Sequence, residues 1–309
     1  MSRGEVMGKG LNLALIWGLG LLLISAVAQA RSYDDVIASG YLKVAVYDNY
    51  PPYSFMDNGE PQGVDVAIAR ELAAGLGVRL ELDWVIADES LDDDLRNYIW
   101  KGRLLQRDEA AAMLKRPVAD VMLRVPYDRE FAFKVDPDGR VMNELVHFFA
   151  PYQREQWVLS YHTERMSPFE NLAVFQYDRV GVEIDSLPDL YLSGAFRGML
   201  RNNVVHFTRF EQAVSAMLEG EVGAVMGQRA EVEWGMRRSD KLAEISVPLP
   251  NLYKPRWDVG MAVRDNYRQL AYALTDTVDR LVSSGVMTTL FDHYGLHYQA
   301  PDHYLQAAN

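Results

Sequence analysis

The 309 residues carry a formal net charge of −12, are 49% hydrophobic and include no cysteine. Disulfide frameworks and cysteine-held zinc are thereby excluded. So acidic a chain also argues against nucleic acid as a partner, because phosphate neutralisation needs a basic patch. Stability must come from filled hydrophobic cores, and the length suffices for two domains of ordinary size.

Residues 1–30 read as an export signal. Arg3 and Lys9 give a weakly positive start, an apolar run covers 11–27, and Ala28-Gln29-Ala30 is a small-x-small cleavage site. Cleavage after Ala30 leaves Arg31 first, in a chain one unit more negative than the whole. An uncleaved anchor is the alternative, but the run sits at the lower length limit for a span. No later stretch has eighteen consecutive apolar residues, so no membrane insertion of the mature chain is expected.

Residues 42–47 then form a β-branched strand. It runs into a loop carrying Asp48, Pro51, Pro52 and the rings of Tyr50, Tyr53 and Phe55. A turn at Asp57-Asn58-Gly59 leads to a helix over 64–76, whose apolar positions Val64, Ile68, Leu72 and Leu76 recur every fourth residue before Gly77 stops it. Residues 78–86 return as a strand. In open α/β sheets small ligands bind off the carboxyl ends of strands, which is where this layout puts Asp48 and the aromatic rings.

The segment 88–105 carries Asp92, Asp93 and Asp94. Clustered carboxylates suit a hard cation. Consecutive acids, however, point in different directions on a helix, and no glycine has calcium-loop spacing. The reading preferred is an acidic first helical turn that complements the helix dipole, with no metal. A strand over 119–123 follows, with Arg124 at its end and Arg129 shortly after. Strands at 180–182, 204–206 and 222–226 then alternate with helices over 187–200 and 210–218. A strand at 257–263 precedes two terminal helices around 270–282 and 287–294. This alternation predicts an α/β architecture. No zinc-protease, nucleophile-elbow or phosphate-loop motif occurs, and Gly295 between His293 and His297 makes a helical metal pair improbable. No catalytic residue and no cofactor are expected.

Tyr50-Pro51-Pro52-Tyr53-Ser54-Phe55, followed by Gly63-Val64-Asp65 entering a helix, resembles the opening of the periplasmic solute-binding proteins of the polar amino-acid uptake type. Their usual wording there is Tyr-Pro-Pro-Phe-Ser-Phe and Gly-Phe-Asp. The resemblance implies a periplasmic, two-lobed α/β binding fold of type II, with a two-strand hinge and a ligand cleft between the lobes. Lobe 1 would comprise 31–160 and 257–309, and lobe 2 would comprise 161–256. Crossings are implied near 156–161 and 256–263.

Site residues follow from the same resemblance. Asp48, Tyr50, Tyr53 and Phe55 would line the lobe-1 wall. Arg129 occupies the place of an arginine that grips the ligand's carboxylate by its two-pronged guanidinium. Arg124, at the strand end, is its rival, and surface pairing of Arg129 with Asp128 or Glu130 is the plainer alternative. Ser186 ends a lobe-2 strand and loop where a hydroxyl and helix N–H groups hold an anion, although the preferred reading is that Asp185 or Ser186 only caps the helix that follows. Gln228 stands where the family has an acid for the ligand's ammonium. The chain departs further at Pro126 (usually Thr), Asp185 (usually Gly) and Gly223 (usually Asp). A free zwitterionic amino acid therefore fits poorly, and a small polar or anionic molecule delivered to an ABC permease is expected. Trp100-Lys101-Gly102 and the stretch 119–130 look like a subgroup found near periplasmic quinoprotein alcohol dehydrogenases, which implies an alternative role as a non-transport accessory of such a dehydrogenase. A dehydratase or lyase on the same fold is the third reading.

Overall fold

A computed structural model describes residues 31–103 and 118–306. The expected export signal and the last two residues of the segment 88–105 lie outside the described residues. After a short helix α1 (Tyr33–Ser39) come strand β1 (Tyr41–Tyr47), a small hairpin of β2 (Phe55–Asp57) and β3 (Glu60–Gln62), helix α2 (Val64–Gly75) and β4 (Arg79–Val85). The acidic stretch forms α3 (Leu91–Leu95) and a π-helical turn (Arg96–Trp100), before β5 (Val121–Pro126), the one-turn helix α4 (Arg129–Ala132) and the long β6 (Val146–His162). Then follow β7 (Val180–Glu183), α5 (Leu187–Gly198), β8 (Val204–Phe207), α6 (Phe210–Glu219), β9 (Ala224–Gln228), α7 (Arg229–Met236) and β10 (Leu242–Ile245). The chain closes with β11 (Arg256–Arg264), α8 (Arg268–Ser283), α9 (Val286–His293) and α10 (Asp302–Gln306).

The strands form one continuous path, β4-β1-β5-β11-β6-β9-β7-β8, with β10 also paired to β6. At 17 residues β6 is long enough to serve two sheets. Its first part is antiparallel to β11 up to the pair of Gln156 with Arg256, and from Trp157, opposite Gln228, its partners are β9 and β10. The chain thus passes into the second lobe along β6 and returns along β11. Trp157 and Trp257, one on each crossing strand, pack in a tilted arrangement with ring centroids 4.8 Å apart.

The first lobe is buried on both faces of its sheet, which is why β1 reads as a nearly continuous apolar run. Val44 and Val46 point to one side and pack with Ile68 and Leu72 of α2, Leu270, Leu274 and Val278 of α8, and Phe291 of α9. Ala45, between them, points to the other side and packs with Leu95, Ile99, Met122 and Ala262. The C-terminal helices therefore complete the first lobe's core. The second lobe has its own, with Leu159, Phe175, Val180, Leu192 and Met226 on one face and Val158, Phe210, Val214, Met217 and Val225 on the other. The helix expected over 187–200 is interrupted, because Phe196 and Arg197 adopt left-handed backbone angles. Among the described residues no helix is long and apolar enough to cross a membrane.

Candidate functional site

The carboxyl ends of β1, β4 and β5 face those of β7 and β9 across a cavity of about 710 Å³. The first lobe supplies residues 47–50, the β4–α3 loop at 85–91, Asp94, Arg124 and Pro126. The second supplies Glu183, Arg209, Glu211, Gln228 and Glu231, and β11 adds Trp257 and Val259. Hydrogen bonds span the two walls. Gln228 Nε2 donates to the Tyr50 hydroxyl at 2.5 Å, and Arg209 Nη2 donates to the Asn49 carbonyl at 2.8 Å. Behind Tyr50, the buried Tyr53 hydroxyl donates to Glu155 Oε2 at 3.0 Å, with Gln228 Oε1 3.4 Å away. Glu155, on β6, also accepts the backbone N–H of Arg229 at 3.1 Å, so the crossing strand ties the aromatic loop to α7.

Arg124 has a left-handed backbone angle, φ +59°, which turns its side chain under the aromatic loop. Its Nε and Nη2 donate to both oxygens of Asp65, at 2.6 and 2.8 Å, and Nη2 also reaches Gln153 Oε1 at 3.1 Å. The guanidinium lies 3.4 Å over the Tyr53 ring. Tyr152 closes the group: its hydroxyl donates to Asp65 Oδ1 at 3.1 Å and accepts the Arg124 backbone N–H at 3.1 Å. Asp65 in the first turn of α2 and Arg124 are both buried. This arginine is committed to the protein before any ligand arrives.

The residues singled out in the sequence separate here. Asp48 and Tyr50 line the cleft, Arg124 and Gln228 form parts of its walls, and Tyr53 backs it. Phe55 does not line it; its ring packs on Trp234 of α7 at 5.6 Å. Ser186 acts as the cap of α5, donating to the Glu183 carbonyl at 2.6 Å and accepting from Asp189 N at 3.3 Å, beside a small side pocket next to the cleft. Arg129 is brought neither to Tyr50 nor to Ser186. Asp128 caps α4 and pairs with Lys254, which holds residue 129 at the surface of a separate depression with Tyr127, Phe133 and His147. Lys254 and Tyr253 also engage Glu130, so neither acid flanking Arg129 is its partner. Arg129→Ala should therefore leave both unfolding free energy and ligand affinity within about 0.5 kcal/mol, as checked by denaturant titration and calorimetry.

The expectation of an anion-binding cleft meets a physical obstacle. Asp48, Asp88, Glu89 and Asp94 line one wall and Glu183, Glu211 and Glu231 the other, and among the described residues only the guanidiniums of Arg124 and Arg209 oppose them. Burial pushes the Asp94, Glu155 and Glu183 carboxyls up from their ordinary values. Burial and then the neighbouring Glu183 charge raise Glu231 well above the usual glutamate range. Sequence reasoning missed this acidic lining. Glu231 did carry a signal, since an acid three residues after Gln228 fits a capping position, and its Oε2 accepts the Gln228 backbone N–H at 3.2 Å. Asp92, Asp93 and Asp94 diverge as the helical geometry requires: Asp92 meets Lys134 at 2.7 Å, Asp93 meets Arg96 at 2.5 Å, and Asp94 accepts the Tyr47 hydroxyl at 2.8 Å. Among the described residues no group of three or more metal-ligating side chains converges.

Residues 42–93 match the family described as bacterial extracellular solute-binding proteins, family 3. No curated protein matches the sequence. Solved structures match across both lobes. An ancestral cationic amino acid solute binding protein, AncCDT-1, superposes with a TM-score of 0.63 at 15% identity, covering 85% of this chain and 99% of that one. An amino acid ABC transporter substrate-binding protein from Streptococcus pneumoniae, bound to L-arginine, gives 0.59 at 19% identity, covering 87% and 100%. A mutant of ArgBP from T. maritima gives 0.55 at 22% identity, covering 85% and 99%. At these identities the likeness is one of fold: the two-lobed α/β periplasmic binding fold of type II, with its cleft between the lobes.

Proposed function

We propose that this chain, which resembles the family-3 extracellular solute-binding proteins, is itself an exported solute-binding protein that captures a small polar molecule between its lobes and presents it to an ABC-type importer. The observation that carries the reading is the cleft, walled by residues of both lobes at strand ends and bridged by Gln228 to Tyr50 and by Arg209 to Asn49. Such a site lets ligand contacts on both walls favour a closed arrangement, because the lobes can rotate about two crossing strands. The polar half of the expected ligand description keeps its support. The anionic half loses it to the carboxylate-rich lining, in which Arg124 is already paired with Asp65. The arginine of the structural neighbours bears on fold alone. No feature of the cleft singles out the dehydrogenase-accessory or lyase readings.

The test is a thermal-shift screen of residues 31–309 against amino acids, organic acids, amines and metal ions, followed by calorimetry. A cognate ligand at a hundred times its dissociation constant adds about 2.7 kcal/mol. For lobes of this size that corresponds to a rise in Tm of roughly 5–10 °C. No shift with any small molecule would overturn the binding reading. Uptake of the labelled ligand by cells lacking the chain tests the importer role, which predicts loss of uptake.

A further inference from the structure

We propose that the cleft selects a small molecule with two or more amino groups and no carboxylate, a linear diamine being the simplest member of the class. The inference rests on the cleft being the solute site and deepens that reading. Its first support is that, among the described residues, no guanidinium lining the cleft is left for a ligand carboxylate. Arg124 is held by Asp65 through two hydrogen bonds, and Arg209 is held by Glu211 at 3.2 and 3.3 Å. The buried Arg124 Nη1 has no hydrogen-bond partner, but the group's charge is already matched by Asp65, so Nη1 suits a neutral acceptor. Arg129 stands outside the cleft.

The second support is a set of carboxylates with no cationic partner among the described residues. Glu231 lines the cleft at 8% exposure, and its one hydrogen bond is the Gln228 N–H on Oε2. Asp94, 2% exposed on the opposite wall, is held only by the Tyr47 hydroxyl and the Asp88 N–H, both at 2.8 Å. Glu183 takes the Phe210 N–H at 3.0 Å. A buried carboxylate without countercharge is costly, and an ammonium group arriving in the cleft supplies that charge. Acids on both walls call for a positive group at each end of the ligand. Tyr47, Tyr50, Trp257 and Val259 line the same cleft, and their apolar surface suits a methylene chain flanked by cations.

Burial raises these carboxyls and so favours their neutral forms, and an ammonium that pairs with the carboxylate form competes with protons. The sign follows: affinity rises as pH climbs through their raised values and falls as pH drops.

The experiment is calorimetry and thermal shift on residues 31–309 with putrescine and cadaverine, set against lysine, arginine, succinate and calcium. The expected result is binding of a diamine at pH 8, weakened at least tenfold at pH 5, with proton release seen as buffer-dependent heats. Glu231→Gln and, as a second variant, Glu183→Gln should each weaken diamine binding tenfold or more while the unliganded protein stays folded. Lysine or arginine binding as tightly as the diamines would overturn the exclusion of a carboxylate. Succinate or calcium binding in place of the diamines would overturn the choice of an amine. Both results leave the solute-binding reading intact. Silence from every class of small molecule in the wider screen would instead remove that reading itself.

Discussion

Asp65→Asn should lower the unfolding free energy by about 3–5 kcal/mol, the effect of leaving one member of a buried ion pair without its counterpart. Asp65 is 1% exposed, and it holds both Nε and Nη2 of Arg124 while also accepting the Tyr152 hydroxyl. The amide would leave the guanidinium positive, buried and pressed on the Tyr53 ring. Arg124→Lys should also destabilise, since an ammonium cannot copy the two-pronged contact. The double variant Asp65→Asn/Arg124→Met should recover most of the loss, because removing both charges removes the penalty. Urea denaturation of residues 31–309 measures all three. A loss below 1 kcal/mol for Asp65→Asn would show that Arg124 finds water in the cleft and is not structurally bound.

Gly63→Ala should cost about 3 kcal/mol or more. The residue enters α2 at φ +111°, and an added Cβ would stand 2.2 Å from the Tyr53 carbonyl oxygen and 2.5 Å from its carbon. These are backbone atoms held by hydrogen bonds of their own: Val64 N to the Pro52 carbonyl at 3.1 Å and Asp65 N to the Tyr53 carbonyl at 2.8 Å. Overpacking against backbone and the left-handed penalty therefore add. The displacement would also reach Asp65 and, through it, Arg124. Gly59→Ala is the control. It shares a positive φ, +84°, but meets nothing within 4 Å, so only the conformational cost of about 1–2 kcal/mol applies. Equal losses at the two positions, read by the same denaturation, would show that the aromatic loop yields.

Hydrophobic patterning made the elements legible, because a period of four in Val64, Ile68 and Leu72 and the unbroken apolar run through Val44, Ala45 and Val46 follow from burial of one helix face and of both sheet faces. The cleft's location was legible too, since strand ends carry loops with exposed side chains. Which arginine entered it was not. Arg124 and Arg129 lie five residues apart, and their fates are set by a left-handed residue and by Asp65, far earlier in the chain. The acidic character of the cleft was hidden for a related reason. Glu183 ends β7, Glu211 and Glu231 lie in the helices after β8 and β9, and Asp94 sits across the gap. Only the sheet order brings them to one space. Gln228, chosen for what it lacks, turned out to hold the walls together by its amide.

Trp157 and Trp257 face each other on the two strands that join the lobes, 4.8 Å apart and inclined by 43°. Coupling between two indole transitions depends steeply on their spacing and angle. A rotation that bends these strands alters both quantities at the pivot itself. A rotation of the halves should therefore change the near-ultraviolet circular dichroism in solution, with no label attached and no ligand named in advance.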